Sequence, residues 1–285
     1  MLVSVGTGAL TPEQVVAVAR FGARVELSPA VYPVVAAARE HVESLARART
    51  PTYGVSTGFG ALAVRHIPAD RRAALQRSLI RSHAAGSGAP VEREVVLAMM
   101  LLRLRTLASG RTGVRRSTVD ALVGLLNAGI VPVVGEYGSL GCSGDLAPLA
   151  AVALALVGEG EVFDASGARV PACLALAEAG IESVELAEKE GLALVNGTDG
   201  MLGMLVLAAT DLHALLDVAD LTAAMSVEAL LGTDRVFAAD LQALRPHPGQ
   251  ARSAERMLAL LAGSEIVASH RGPGCTRVQD AYSLR

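Results

Sequence analysis

Hydrophobic positions along this 285-residue chain fall mostly at helical spacing. Residues 11–48 predict two helices, the first opening at Thr11-Pro12-Glu13 with a cap-like Thr and a Pro in the first turn. Residues 50–68 are punctuated by Pro51, Gly54, Gly58, Gly60 and Pro68 and predict a loop. Segments 69–82 and 91–108 predict helices, the second built on the apolar run Val95 to Leu102 and closed by Arg103 and Arg105. Residues 117–128 predict a helix ending near Asn127 and Gly129, as a left-handed cap requires. A further helix is expected over 146–157, and 160–190 carries strand or hairpin signals and a Lys/Glu-rich connector.

From Gly200 to Leu231 the pattern becomes one long, mostly apolar helix, with Asp211, Asp217 and Asp220 on its polar positions. It is too apolar for a solvent-facing rod, which predicts burial in a bundle. The fold class is therefore mainly α: a mixed, mostly helical domain over 1–199, leading into a long-helix bundle that starts over 200–285. Val278 to Arg285 carries no polar tail or stop signal and reads as the middle of an element. No internal repeat or low-complexity tract is apparent.

Composition changes this picture modestly. Apolar residues make up 52% and aromatics 3%, with no Trp, so Ala, Leu and Val must fill the core, which suits packed helices. A net charge of -3 gives no reason to expect nucleic acid or an acidic membrane surface as partner. The apolar runs at 121–135, 146–158 and 200–210 fall short of the ~18 residues of a membrane span, and without a basic n-region followed by an apolar h-region a secretory signal is not expected. The six histidines form no metal pair at helical spacing. Cys142, Cys173 and Cys275 are odd in number and far apart, indicating no disulfide framework or zinc site and pointing to a reduced cytosol. In that compartment the Asn196-Gly197-Thr198 sequon has no meaning.

The strongest chemical signal is Gly138-Ser139-Leu140-Gly141-Cys142-Ser143-Gly144-Asp145-Leu146-Ala147-Pro148. Side chains supply few electron sinks, so hard chemistry usually needs a cofactor. Cys142-Ser143-Gly144 can make one: the Gly144 amide nitrogen attacks the Cys142 carbonyl, and Ser143 dehydrates to an exposed electrophilic methylene. Glycine tolerates the tight backbone of ring closure. Taken alone, a Ser-Gly pair also fits a plain turn between helices.

This segment resembles the cofactor-forming signature of the histidine and aromatic amino-acid ammonia-lyases, the histidine-directed members most closely, with Cys142 in place of the commoner alanine. The likeness covers essentially the whole chain as the N-terminal part of such an enzyme. It implies a 4-methylidene-imidazol-5-one from Cys142-Ser143-Gly144, an amino-acid substrate, a homotetramer at full length and a cytoplasmic location.

Loop 51–60, Pro-Thr-Tyr-Gly-Val-Ser-Thr-Gly-Phe-Gly, presents Tyr53 among glycines. The resemblance implies that Tyr53 is the base; a ring anchoring the loop is the alternative. Gly58-x-Gly60-x-x-Ala63 lacks the strand and acidic residue of a dinucleotide site. Ser82-His83 resembles the pair of the histidine-specific members, implying that His83 recognises an imidazole, although a lone histidine is often structural. Asn196 corresponds to an asparagine near ring and amine; it also suits a helix N-cap. In Val278-Gln279-Asp280-Ala281-Tyr282-Ser283-Leu284-Arg285, the resemblance places Gln279 at the substrate, Tyr282 in proton handling and Arg285 on the carboxylate. Ala151 stands where many relatives have histidine.

The implied activity is elimination of ammonia from L-histidine to give trans-urocanate. The rivals are the same chemistry on phenylalanine or tyrosine, an aminomutase, or an inactive helical interaction module. A serine hydrolase elbow is opposed by Asp145 in the place of its final glycine.

Overall fold

A computed structural model describes residues 1–284; Arg285 lies outside the described residues. The chain divides into two compact units, Met1–Ala208 and Ala209–Arg285.

The first unit opens with strand β1 (Leu2–Val5), helix α1 (Pro12–Ala19) and strand β2 (Arg24–Leu27). The strands pair in parallel, Val3 opposite Val25. Thr11 caps α1 reciprocally with Gln14, behind Pro12 in the first turn, as its sequence requires. Next come α2 (Val31–Arg47), α3 (Arg72–His83), β3 (Ser87–Pro90), α4 (Arg93–Ala108) and α5 (Arg116–Ala128). Gly129 closes α5 in the left-handed conformation.

Helix α4 runs through the core, with every residue from Val96 to Leu104 buried. The helix forms over the predicted 91–108 span and ends at Ala108, but the apolar run does not close at Arg103: Leu104, Leu107 and Ala108 renew the buried surface beyond it, and Arg103 lies inside.

The unit continues with β4 (Val131–Pro132), β5 (Gly135–Tyr137), α6 (Leu146–Leu156), β6 (Glu161–Phe163), β7 (Arg169–Pro171), α7 (Ala172–Glu178), α8 (Glu190–Val195) and the start of α9 (Asp199–Ala229). Strand β3 pairs antiparallel with β5, and β4-β6-β7 form a small antiparallel sheet. These strands are short; the core is built by helices.

The second unit comprises the rest of α9, α10 (Ala239–Gln242), α11 (Pro248–Leu260) and α12 (Glu265–Ser269). Its small core joins Ala224, Val227, Met257, Leu261 and Val267. Ion pairing of Arg256 with Asp217 and a Ser253–Asp220 hydrogen bond tie α11 to α9.

Helix α9 forms over the predicted span, and within this chain Met204, Leu205, Leu212, Leu215, Leu216 and Met225 are exposed. Periodicity reveals that a helix is apolar, not what covers it. At 31 residues α9 is also long and apolar enough, by length and composition, to cross a membrane, which the shorter runs considered separately had concealed.

Candidate active site

The tripeptide Cys142-Ser143-Gly144 lies in a tight turn. The Leu140 amide donates to the Gly144 carbonyl at 3.0 Å, and the Gly144 amide donates to the Gly141 carbonyl at 3.3 Å. Gly141 and Gly144 take φ values of 71° and 63°, open to glycine and strained for other residues. A Cβ at position 144 would also lie 2.8 Å from Thr198 Cγ2. Cys142 is exposed, Ser143 half-buried and Gly144 buried. The two hydrogen bonds span Cys142 and Ser143 and hold the tripeptide in the tight backbone that ring closure needs.

A second turn, Asn196 to Asp199 between α8 and α9, is stitched to the first. Gly144 and Gly197 form a parallel bridge, and the Asp145 amide donates to the Gly197 carbonyl at 2.9 Å. Asp145 begins α6, yet its Oδ2 accepts from the Met201 amide at 3.0 Å, capping the first turn of α9. Asn196 follows α8 as its C-terminal cap, instead of serving as an N-cap, and its side chain is exposed beside Gly197.

Beneath this turn, Arg103 pairs with Asp199 and donates from Nη1 to the carbonyls of Ala193 at 3.1 Å and Asn196 at 3.2 Å. Burial pushes the Arg103 guanidinium down and the Asp199 carboxyl up; their mutual attraction opposes both shifts.

Tyr53 is half exposed on its loop. Its hydroxyl oxygen accepts from the Gly60 amide at 3.1 Å, and its ring meets Phe59 edge-on at 6.1 Å. The loop is moored by buried Gln76 on α3, whose amide nitrogen donates to the Gly54 carbonyl at 3.4 Å. The other end of the same side chain accepts from the Leu192 amide on α8 at 3.3 Å. One side chain therefore connects the Tyr53 loop to the helix that ends at Asn196.

His83 ends α3, its Nδ1 2.9 Å from the Leu79 carbonyl. The Ser82 hydroxyl oxygen also lies 3.0 Å from this nitrogen, so Nδ1 is occupied on the protein side of the ring. The Ser82 hydroxyl donates to the same carbonyl at 2.8 Å. Neighbouring Arg81 grips Glu159 with two hydrogen bonds of 2.7 Å.

Gln279 and Tyr282 belong to the second unit and are exposed, Tyr282 in a short 3-10 turn; Arg285 is outside the described residues. Ala151 packs half-buried against the core. Among the described residues no group of three or more His, Cys, Asp and Glu is arranged to hold a metal ion.

Sequence reasoning missed Arg103, Asp199 and Gln76. A signal existed for Arg103: a charge inside an apolar run that resumes at helical spacing. Nothing in the periodicity marks Gln76, whose importance lies in two backbone groups distant in sequence.

The pattern of the aromatic amino acid lyase family matches residues 10–285. The chain is 61% identical over 283 residues to histidine ammonia-lyase of Streptomyces avermitilis, covering 99% of this chain and 55% of the relative. It is 50% identical to the histidine ammonia-lyase of an Anaeromyxobacter species, covering 97% and 56%. Among solved structures, tyrosine aminomutase from Streptomyces globisporus superposes with a TM-score of 0.90 at 36% identity, covering all of this chain and 57% of that one. Histidine ammonia-lyase from Trypanosoma cruzi gives 0.84 at 35%, covering 91% and 51%. The chain spans about 55% of the length of its Streptomyces avermitilis relative. On sequence and structure alike, it belongs to the aromatic amino acid lyase family.

Proposed function

We propose that this chain carries the cofactor-forming part of a cytoplasmic histidine ammonia-lyase, which acts as a homotetramer when complete and converts L-histidine to trans-urocanate and ammonia. The observation that carries the reading is the Gly141–Gly144 turn, closed on itself and bridged to the Asn196 turn.

Ring closure requires only this chain's atoms. The Gly144 nitrogen bonds to the Cys142 carbonyl carbon; the carbonyl oxygen leaves as water with the amide hydrogens of Gly144 and Ser143. Ser143 then loses its Cα hydrogen and hydroxyl as a second water, leaving an exocyclic methylene. That group supplies the electrophile that turns the substrate amine into a leaving group.

The remaining work falls to side chains. Tyr53 removes the proton from the substrate β-carbon, its oxygen oriented by the Gly60 amide. His83 recognises the substrate imidazole through Nε2, its Nδ1 being engaged by Leu79 and Ser82. Asn196 donates from its amide to an oxygen that gains charge beside the tripeptide, a role supported by the bridge from neighbouring Gly197 to Gly144. Arg285 holds the carboxylate, with Gln279 beside the substrate and Tyr282 in proton handling.

Comparative turnover of L-histidine, L-phenylalanine and L-tyrosine by the complete protein tests the reading. Urocanate from histidine, with little turnover of the others, supports it. Cinnamate or coumarate as main product transfers the activity to the phenylalanine or tyrosine branch, and a β-amino acid product indicates an aminomutase.

A further inference from the structure

We propose that Arg103 is a positioning residue for ring closure at Cys142-Ser143-Gly144, acting through the Asn196–Asp199 turn; the proposal rests on the function proposed above. Arg103 is 2% exposed in the middle of an apolar helix, a costly place for a guanidinium. Its Nη1 holds two carbonyls at the C-terminal end of α8, where helix carbonyls lack partners of their own. Its Nη2 holds Asp199, the first residue of α9. Its Nε makes no hydrogen bond among the described residues, so its hydrogen bonding is concentrated on the end of α8 and this turn.

One planar group thereby fixes the end of one helix and the start of the next, and with them the Gly197 peptide between. A Cβ on Gly197 would collide with Arg103 Nη2, so the guanidinium occupies the space a side chain would need. On its other side Gly197 bridges Gly144 and accepts from the Asp145 amide. Two contacts therefore separate Arg103 from the nitrogen that must attack. A buried ion pair can often be replaced by apolar residues without loss of stability. Apolar residues cannot hold two carbonyls and a carboxylate in one plane.

This difference gives the test. The 285-residue chain, the double variant Arg103→Met/Asp199→Leu and the single variant Arg103→Lys are purified. Each is followed by the mass of tryptic peptide Ser117–Arg169 against time, with thermal unfolding by circular dichroism. Folded variants are expected to lose the two waters more slowly, on the order of a hundredfold for the double variant, as misplacement of reacting groups costs. A double variant that folds and cyclises at the parent rate overturns the proposal, as does failure of both variants to fold, which would assign Arg103 to stability. If the parent chain itself loses no water, the function proposed above fails instead.

Discussion

The Asp145 amide and the Gly197 carbonyl meet at 2.9 Å, joining the turn of Cys142-Ser143-Gly144 to the turn that carries Asn196. Space at Gly197 is taken by Arg103 Nη2 and Asp199 Oδ2. Gly197→Ala must displace a buried ion pair and is expected to destabilise the first unit by about 3 kcal/mol, the scale for disrupting such a pair. Denaturant unfolding checks this; an unchanged midpoint contradicts it.

Tyr53→Phe retains the ring packed against Phe59 and removes only the hydroxyl. In the complete protein, ammonia release from histidine should fall by roughly 10²–10⁴-fold, the usual contribution of a general base. Unfolding should shift little, because Tyr53 is 50% exposed. Steady-state kinetics beside a melting curve separates this from an anchoring role, for which stability and activity would fall together.

Much of this was legible in the sequence, for identifiable reasons. Helices α5 and α6 follow their apolar spacing, with Gly129 closing α5 as its sequence requires. Strands β1 and β2 escaped notice because only four residues form each, and their pairing is parallel across α1. Arg103 reads as the polar end of an apolar run because charge usually marks such an end; only the fold shows carbonyls waiting for it. The exposed side of α9 was beyond periodicity, which carries no information about covering groups.

Gln76→Leu should loosen the Tyr53 loop and α8 together. The buried amide bridges the Gly54 carbonyl and the Leu192 amide, and leucine satisfies neither. A loss of about 1–3 kcal/mol is expected, as when buried polar groups are left unpaired. Hydrogen exchange offers the residue-level check: Leu192 amide protection should fall, and unchanged protection would contradict the bridge.

Acid should loosen the end of α3. Hydrogen bonds from Arg81 hold the Glu159 carboxyl below the usual carboxylate range, opposed by burial and assisted by the charges of Arg81 and Arg77. In the window between folded and unfolded values the unfolded chain binds more protons. The contribution is therefore complete above the unfolded value and lost as pH falls through the folded one. Arg81→Met should move the Glu159 titration upward and flatten this acid loss. An NMR titration of the carboxyl in both proteins decides; superimposable curves refute the coupling.

Cys142→Ala should form the same ring, since the first residue contributes only a substituent. The variant's peptide should show the same loss of two waters as the parent, whereas Ser143→Ala cannot form the methylene.

The central claim, that Cys142-Ser143-Gly144 becomes an electrophile, is tested most directly by the mass of tryptic peptide Ser117–Arg169 from purified protein. The account predicts a deficit of two water molecules confined to those three residues. A peptide at its unmodified mass would contradict it.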